Sequence, residues 1–392
     1  MPNKLDHTLT ETVIAAAAAP DAKIAAIVAQ LGAATVADAL FAELASRAEL
    51  VSGPTNEVPI RYDLSFGDEQ VLTTLHLSDG MLRVEHGARE EAAATVKQGL
   101  VDLLREVFGP AGRHGATRQV AIRESDTFPG LDPNDPVNRR RADAVVGLRQ
   151  LLDAVSPRPR DLTELAVRFE SDKWGGHWYT PHYARYFEPY QDLPVRVLEI
   201  GVGGYNIPGA GGASLRMWKH YFRRGQIFGL DLFDKSELAE NRLQILQGDQ
   251  GDPEYLDAMA REFGPFDLVI DDGSHFSDHV ITSFHALFPH VRPGGMYVVE
   301  DLQTSYWPGW RGAADPRAEG TSMAMVKDLL DGINHQEQMR SGDHRPTPTE
   351  LAVTGVHAHH NIVFVDKGSN SEQGAPAWIP RTGDPSRWYS DK

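Results

Sequence analysis

Cysteine is absent from this chain of 392 residues. That excludes disulfides, thiolate metal sites and thiol nucleophiles. Long apolar runs are missing too, and none reaches the roughly 18 residues of a membrane helix. The stretch from Ala15 to Ala19 comes nearest to a signal-peptide core, but it is short, follows acidic residues and runs into Pro20-Asp21, so it reads as a helix end. Basic residues are scarce, 38 Lys and Arg against 55 Asp and Glu, for a net charge of −17 at pH 7. Nucleic-acid binding depends on clustered Lys and Arg, so no nucleic-acid partner is expected. Gly-x-Ser-x-Gly does not occur, which removes the hydrolase nucleophile elbow. No histidine triplet has zinc-site spacing. The expectation is a cytoplasmic protein without a membrane partner, acting on a small uncharged or cationic molecule.

What is there divides in two. Residues 1–155 begin with Ala-rich helical spacing through Val13 to Leu50. Pro59 to Gly87 then alternates, with turn signals at Gly67-Asp68 and Asp79-Gly80, and reads as an antiparallel meander. Glu90 to Phe108 returns to helical spacing, and Ala111 to Arg141 is aperiodic, a linker or a loop reaching an active site. From residue 156 the pattern becomes strand, loop, helix, repeatedly. Strands are expected at 195–200, 226–231, 243–246, 266–270 and 296–300, and helices at 214–222, 253–263, 277–288 and 319–336. Two more strands, 351–358 and 361–366, would close the chain. The fold class is α/β: a Rossmann-like doubly wound sheet with a C-terminal antiparallel hairpin, preceded by an N-terminal α+β auxiliary domain.

The strand running into Glu199-Ile200-Gly201-Val202-Gly203-Gly204-Tyr205 ends in a glycine turn. A dinucleotide fingerprint wants a third glycine where Asn206 stands. A nucleoside without a pyrophosphate fits better, and S-adenosylmethionine is the common one. Asp231, closing the second strand, sits where an acid would hold ribose hydroxyls. Asp249-Gln250 after the third strand would reach the adenine. The sharpest signal is Asp271-Asp272-Gly273-Ser274-His275 after one apolar run and Glu300-Asp301 after another. If those strands are neighbours, Asp272, Glu300, Asp301 and His275 meet beyond their carboxyl ends. The carboxylates suit Mg²⁺, and His275 suits a general base. A helix N-cap is the plainer reading of each acidic pair. Trp178, Tyr179, Tyr306 and Trp307 offer flat faces to a sugar or polyketide, or simply fill the core.

The runs HWYTPHY, RVLEIGVGGY, GGASLRMWKHYF, GPFDLVIDDGSH, LFPHVRPGG, VVEDLQTSYWPG and NIVFVDKG span about 170 to 380. In these the chain resembles the metal- and S-adenosylmethionine-dependent sugar O-methyltransferases of macrolide and polyketide glycoside biosynthesis, as in the mycinamicin, tylosin, spinosyn and elloramycin pathways. The resemblance implies that Asp272, Glu300 and Asp301 ligate Mg²⁺ and that His275 is the base. It implies that the segment after Glu199, with Ser214, Asp231 and Asp249-Gln250, holds S-adenosylmethionine, with Thr180 close by. It also implies a homotetramer in which residues 1–155 help to close active sites, leaving 156–392 as the catalytic domain. Methylation of a catechol or vicinal diol on an aromatic aglycone is an alternative served by the same chelation. A non-catalytic nucleoside-binding module would have no use for a base.

Overall fold

The computed structural model describes residues 7–112, 117–123, 132, 134–156, 158–340, 345–376, 378–379 and 381–383. Two compact units divide the chain. One comprises residues 1–197 with 202–247, the other 198–201 with 248–392.

The first unit opens with three helices, His7–Ala16, Asp21–Leu31 and Ala33–Ala48. Val28, Val36, Leu40, Phe41 and Leu44 are buried in its core. The expected meander forms as β1 (Val58–Phe66), β2 (Glu69–Ser78) and β3 (Met81–His86), antiparallel throughout. Phe66 pairs with Glu69 and Ser78 with Met81, so each predicted turn is a two-residue loop.

The segment 90–108 departs from the expected helix. Ala94–Gly99 is a strand, β4, lying parallel to β1, and only Leu100–Phe108 is helical. Ala94, Val96 and Gln98 are the buried positions of β4, a period of two that the helical spacing further on had masked. The stretch 111–141 also departs from an aperiodic loop. It contributes an edge strand, β5 (Gln119–Ile122), and from Pro136 the helix Pro136–Val155, capped by the Asp135 side chain. The rest of that stretch lies largely outside the described residues. The five strands run in the order β3-β2-β1-β4-β5.

A second sheet has seven strands, β6 (Arg196–Ile200), β7 (Gln226–Asp231), β8 (Leu243–Gln247), β9 (Phe266–Asp271), β10 (Val291–Val299), β11 (Val353–His359) and β12 (Ile362–Lys367). Their order is β11-β12-β10-β9-β6-β7-β8. The β7–β8 and β9–β10 pairs are parallel, while β12 runs antiparallel to β10 and to β11. This is the expected Rossmann-like sheet with its terminal hairpin. Near-continuous apolar burial in β7, β9 and β10 is what a sheet covered on both faces requires. The strand expected from 351 begins two residues later, because Pro348–Ala352 forms a short helix under a Thr347–Glu350 capping box. Among the described residues no single helix is long and apolar enough to cross a membrane.

Candidate active site

In the unit of residues 198–201 and 248–392, β9 and β10 are neighbours with Val299 opposite Asp271. Glu300 N donates to the Asp271 carbonyl at 3.0 Å, and Asp272 N donates to the Ile200 carbonyl at 3.0 Å. The strand ends are therefore in register, and the acids just past them come together. Ligand atoms of Glu199, Asp272 and Glu300 all lie within 4.8 Å of one another, and so do those of Asp272, His275 and Asp301. Asp272 belongs to both groups. Glu199 and Glu300 are buried. Nε2 of His275 stands 3.6 Å from Oδ2 of Asp301. Close carboxylates oppose each other's ionisation, and a hard divalent cation relieves that opposition. Sequence reasoning placed Glu199 with the cofactor only; its membership of the acidic group shows once β6 lies beside β9.

The capping alternative for the acidic pairs does not hold. The helix Ser277–Leu287 has Phe276 at its N-cap, and Asp301, at the head of the 3₁₀ turn Leu302–Tyr306, makes no side-chain cap bond. Gly201 is indispensable to the approach of the strands. Its φ is +93°, and a Cβ there would fall 2.1 Å from the carbonyl oxygen of Asp272. His275 and Asp301 also have positive φ, 56° and 53°. For non-glycine residues such backbone costs of order 1–3 kcal/mol and clusters at functional sites.

Asp271 and Asp272 do different work. Asp271 is buried and turned inward. It accepts hydrogen bonds from Gln250 Nε2 at 2.6 Å, from Tyr297 Oη at 3.1 Å and from the Ser283 hydroxyl. Burial pushes its carboxyl up to about 6, against the pull of those donors. Gln250 Oε1 accepts from Ser274 N at 2.9 Å. Both ends of the Gln250 amide thus brace the 271–274 loop. Asp249 is exposed and accepts from Gly251 N at 2.7 Å.

In the other unit, Asp231 ends β7. Its Oδ2 accepts from Val202 N and its Oδ1 from Phe233 N, each at 2.9 Å, so it anchors the glycine turn. Gly203 and Tyr205 have φ of 78° and 48°, and both are exposed. Ser214 lies in the first turn of the helix Ala213–Tyr221, half-buried. Thr180 is fully buried, its hydroxyl 2.9 Å from that of Thr163. Tyr179 is buried and stacks on His177, whereas Trp178 is 62% exposed and meets Trp174 edge-on.

Tyr306 and Trp307 are exposed on the 3₁₀ turns after Asp301. Trp310, not singled out in the sequence, packs beside His275. Its ring centroid is 5.9 Å from that of His275 and 6.0 Å from that of Phe276. Arg311 lies 4.2 Å over the Phe276 ring. The signal in the sequence is the aromatic run Tyr306-Trp307-Pro308-Gly309-Trp310.

The demethylmacrocin O-methyltransferase of Streptomyces fradiae is 44% identical, over 97% of this chain and 96% of that protein. The chain belongs to the sugar O-methyltransferases of macrolide and polyketide glycoside biosynthesis. A second relative of this methyltransferase is the 8-demethyl-8-alpha-L-rhamnosyl tetracenomycin-C 2'-O-methyltransferase of Streptomyces olivaceus, 42% identical over 88% of this chain and 91% of that one. A crystal structure of the MycE methyltransferase of the mycinamycin pathway, in complex with Mg, SAH and mycinamycin VI, superposes with a TM-score of 0.85. It is 42% identical and covers 97% of this chain and 98% of that chain. The family profile described as MycE methyltransferase N-terminal matches residues 10–119.

Proposed function

We propose that this methyltransferase moves a methyl group from S-adenosylmethionine to a hydroxyl of a deoxysugar, of the rhamnose or another 6-deoxyhexose type, on a polyketide or macrolide glycoside. One observation carries the proposal: two acidic groups share Asp272, and one of them includes His275. Asp272, Glu300 and Asp301 would hold Mg²⁺, and an all-oxygen set fits that ion. Mg²⁺ held there supplies positive charge that lowers the pKa of a substrate hydroxyl beside it. His275 takes the hydroxyl proton on a ring nitrogen, the part histidine most often plays in general acid–base catalysis. The freed oxygen attacks the sulfonium methyl in line; the new C–O bond forms as the S–CH₃ bond breaks, and S-adenosylhomocysteine leaves. The residues contribute positioning and electrostatics.

In this reading Gly201, Gly203 and Tyr205 shape the turn that receives the cofactor. Thr180, Glu199, Ser214, Asp231, Asp249 and Gln250 are the further residues assigned to the cofactor. Trp178, Tyr179, Tyr306 and Trp307 are the aromatic side chains assigned to the acceptor. Residues 1–155 form the auxiliary domain for oligomerisation and active-site closure, and 156–392 the catalytic domain. The match of residues 10–119 to a named N-terminal family supports that division. The enzyme works in the cytoplasm as a homo-oligomer, a tetramer by family resemblance.

The test is a panel of macrolide and polyketide glycosides beside their aglycones, incubated with S-adenosylmethionine with and without EDTA and read by mass spectrometry. Methylation confined to glycosides and lost on chelation is the expected result. Methylation of aglycones alone would instead support the catechol or diol reading. Turnover indifferent to EDTA would overturn the metal's part.

A further inference from the structure

His275 and Asp301 share an uncommon backbone, and one side chain touches both. The Thr304 hydroxyl lies 2.8 Å from the carbonyl oxygen of Asp301 and 3.1 Å from that of His275. Thr304 itself is buried. It sits in the 3₁₀ turn Leu302–Tyr306, and its own N–H also donates to the Asp301 carbonyl, at 3.0 Å. The hydroxyl has one proton, shared between the two carbonyls or alternating between them. It thus bridges the turn after β9 to the turn after β10.

A general-base histidine is usually aimed by an acceptor on its second ring nitrogen. Here Nδ1 of His275 is buried and has no hydrogen-bond partner among the described residues. With no acceptor on Nδ1, the backbone, held at positive φ, contributes to the ring's direction. Left-handed residues of this kind persist only where their surroundings over-determine them.

We infer that Thr304 is a positioning residue: its hydroxyl locks His275 and Asp301 into their left-handed conformations and so sets the aim of the base and of the acidic ligand together. The inference rests on the roles proposed above for those two residues. Thr304→Val keeps the shape and removes the hydroxyl; Thr304→Ser keeps the hydroxyl and removes the methyl.

The experiment measures, for the full-length enzyme and both variants, Mg²⁺ affinity and S-adenosylhomocysteine affinity by calorimetry. It adds kcat and KM with a glycoside that the wild type methylates. Thr304→Val is expected to lose about 10–100-fold in Mg²⁺ affinity and a similar factor in kcat. KM and S-adenosylhomocysteine affinity should stay at wild-type levels, and Thr304→Ser should restore both losses. Unchanged Mg²⁺ affinity and kcat in Thr304→Val overturns the inference. So does a Ser variant as impaired as the Val one, since that pattern marks a packing role. If Thr304→Val does not fold, Thr304→Ala is read in the same way. His275→Ala is run alongside: full turnover there defeats the base role, whereas the Mg²⁺ affinities still decide whether Thr304 sets Asp301.

Discussion

The methyltransferase buries acidic side chains in two contrasting ways. In the unit that begins the chain, Glu43 is fully buried and met by cations. Arg47 Nε and Arg242 Nη2 donate to its Oε1 at 2.8 Å, and Arg242 Nε to its Oε2 at 2.9 Å. Burial alone would push the Glu43 carboxyl up, but Arg242 and Arg47 together hold it far below the usual carboxylate range. That cluster carries its own neutralising charge and ties a helix to β8. In the other unit, Asp272 gathers with Glu199, Glu300, Asp301 and His275. There the groups brought together are mostly of one sign, and their arrangement suits an added cation. One cluster carries its counter-charge within it; the other gathers acids on acids.

The contrast can be broken most sharply at His275. His275→Ala is expected to lower kcat by roughly 10²–10⁴-fold, the usual contribution of a general base, while calorimetry shows S-adenosylhomocysteine bound as in the wild type. Next comes Glu43→Gln. It leaves two buried guanidiniums short of charge and should cost about 3–5 kcal/mol in urea unfolding. Mg²⁺ affinity should not change. The pH dependence of this loss has a definite sign. The folded carboxyl is depressed below its ordinary value of 4.5, so its contribution is fully present above that pH and disappears on acidification through the lower folded value. Wild type and Glu43→Gln should therefore differ by a constant amount near neutrality and converge in strong acid.

Mg²⁺ separates the clusters in the opposite direction. At a hundredfold excess over its dissociation constant it should add about 2.7 kcal/mol to the wild type's stability. Thermal melts of Asp272→Ala should lack that increment, and those of Glu43→Gln should retain it. An Asp272→Ala enzyme stabilised as the wild type is would remove Asp272 from the ligand set. The smallest effect expected is at Trp310. Loss of an aromatic face is worth about 0.5–1.5 kcal/mol, so Trp310→Ala should raise KM for the glycoside several-fold and leave Mg²⁺ affinity alone.

Much of the stretch from 195 onward was legible from residues alone. Strand ends followed by acids and glycine are local signals, and the buried strands of a parallel sheet announce themselves as apolar runs. The elements expected between 195 and 300 were found within a few residues. Reading failed where local and tertiary preferences diverge. Ala94–Gly99 became a strand because β1 offered it a partner, and no window of sequence contains that partner. The Gln250 side chain lies against Asp271 and Ser274, contacts that no local window contains. Tyr179 is indistinguishable in type from its neighbour Trp178, and only packing turns one inward and the other outward.

By itself the sequence determined which chemical groups are on hand: carboxylates after two strands, one histidine beside them, a glycine turn and no thiol. Periodicity and turn residues act over a few positions, and those positions are adjacent in the chain. Tertiary structure alone decided that Asp272 is shared between two acidic groups while Asp271 is locked inside. It alone decided that His275 and Asp301 take left-handed backbones under one threonine hydroxyl. These outcomes depend on which strands lie side by side, and the pairing of β9 with β10 is set by the energy of the whole sheet.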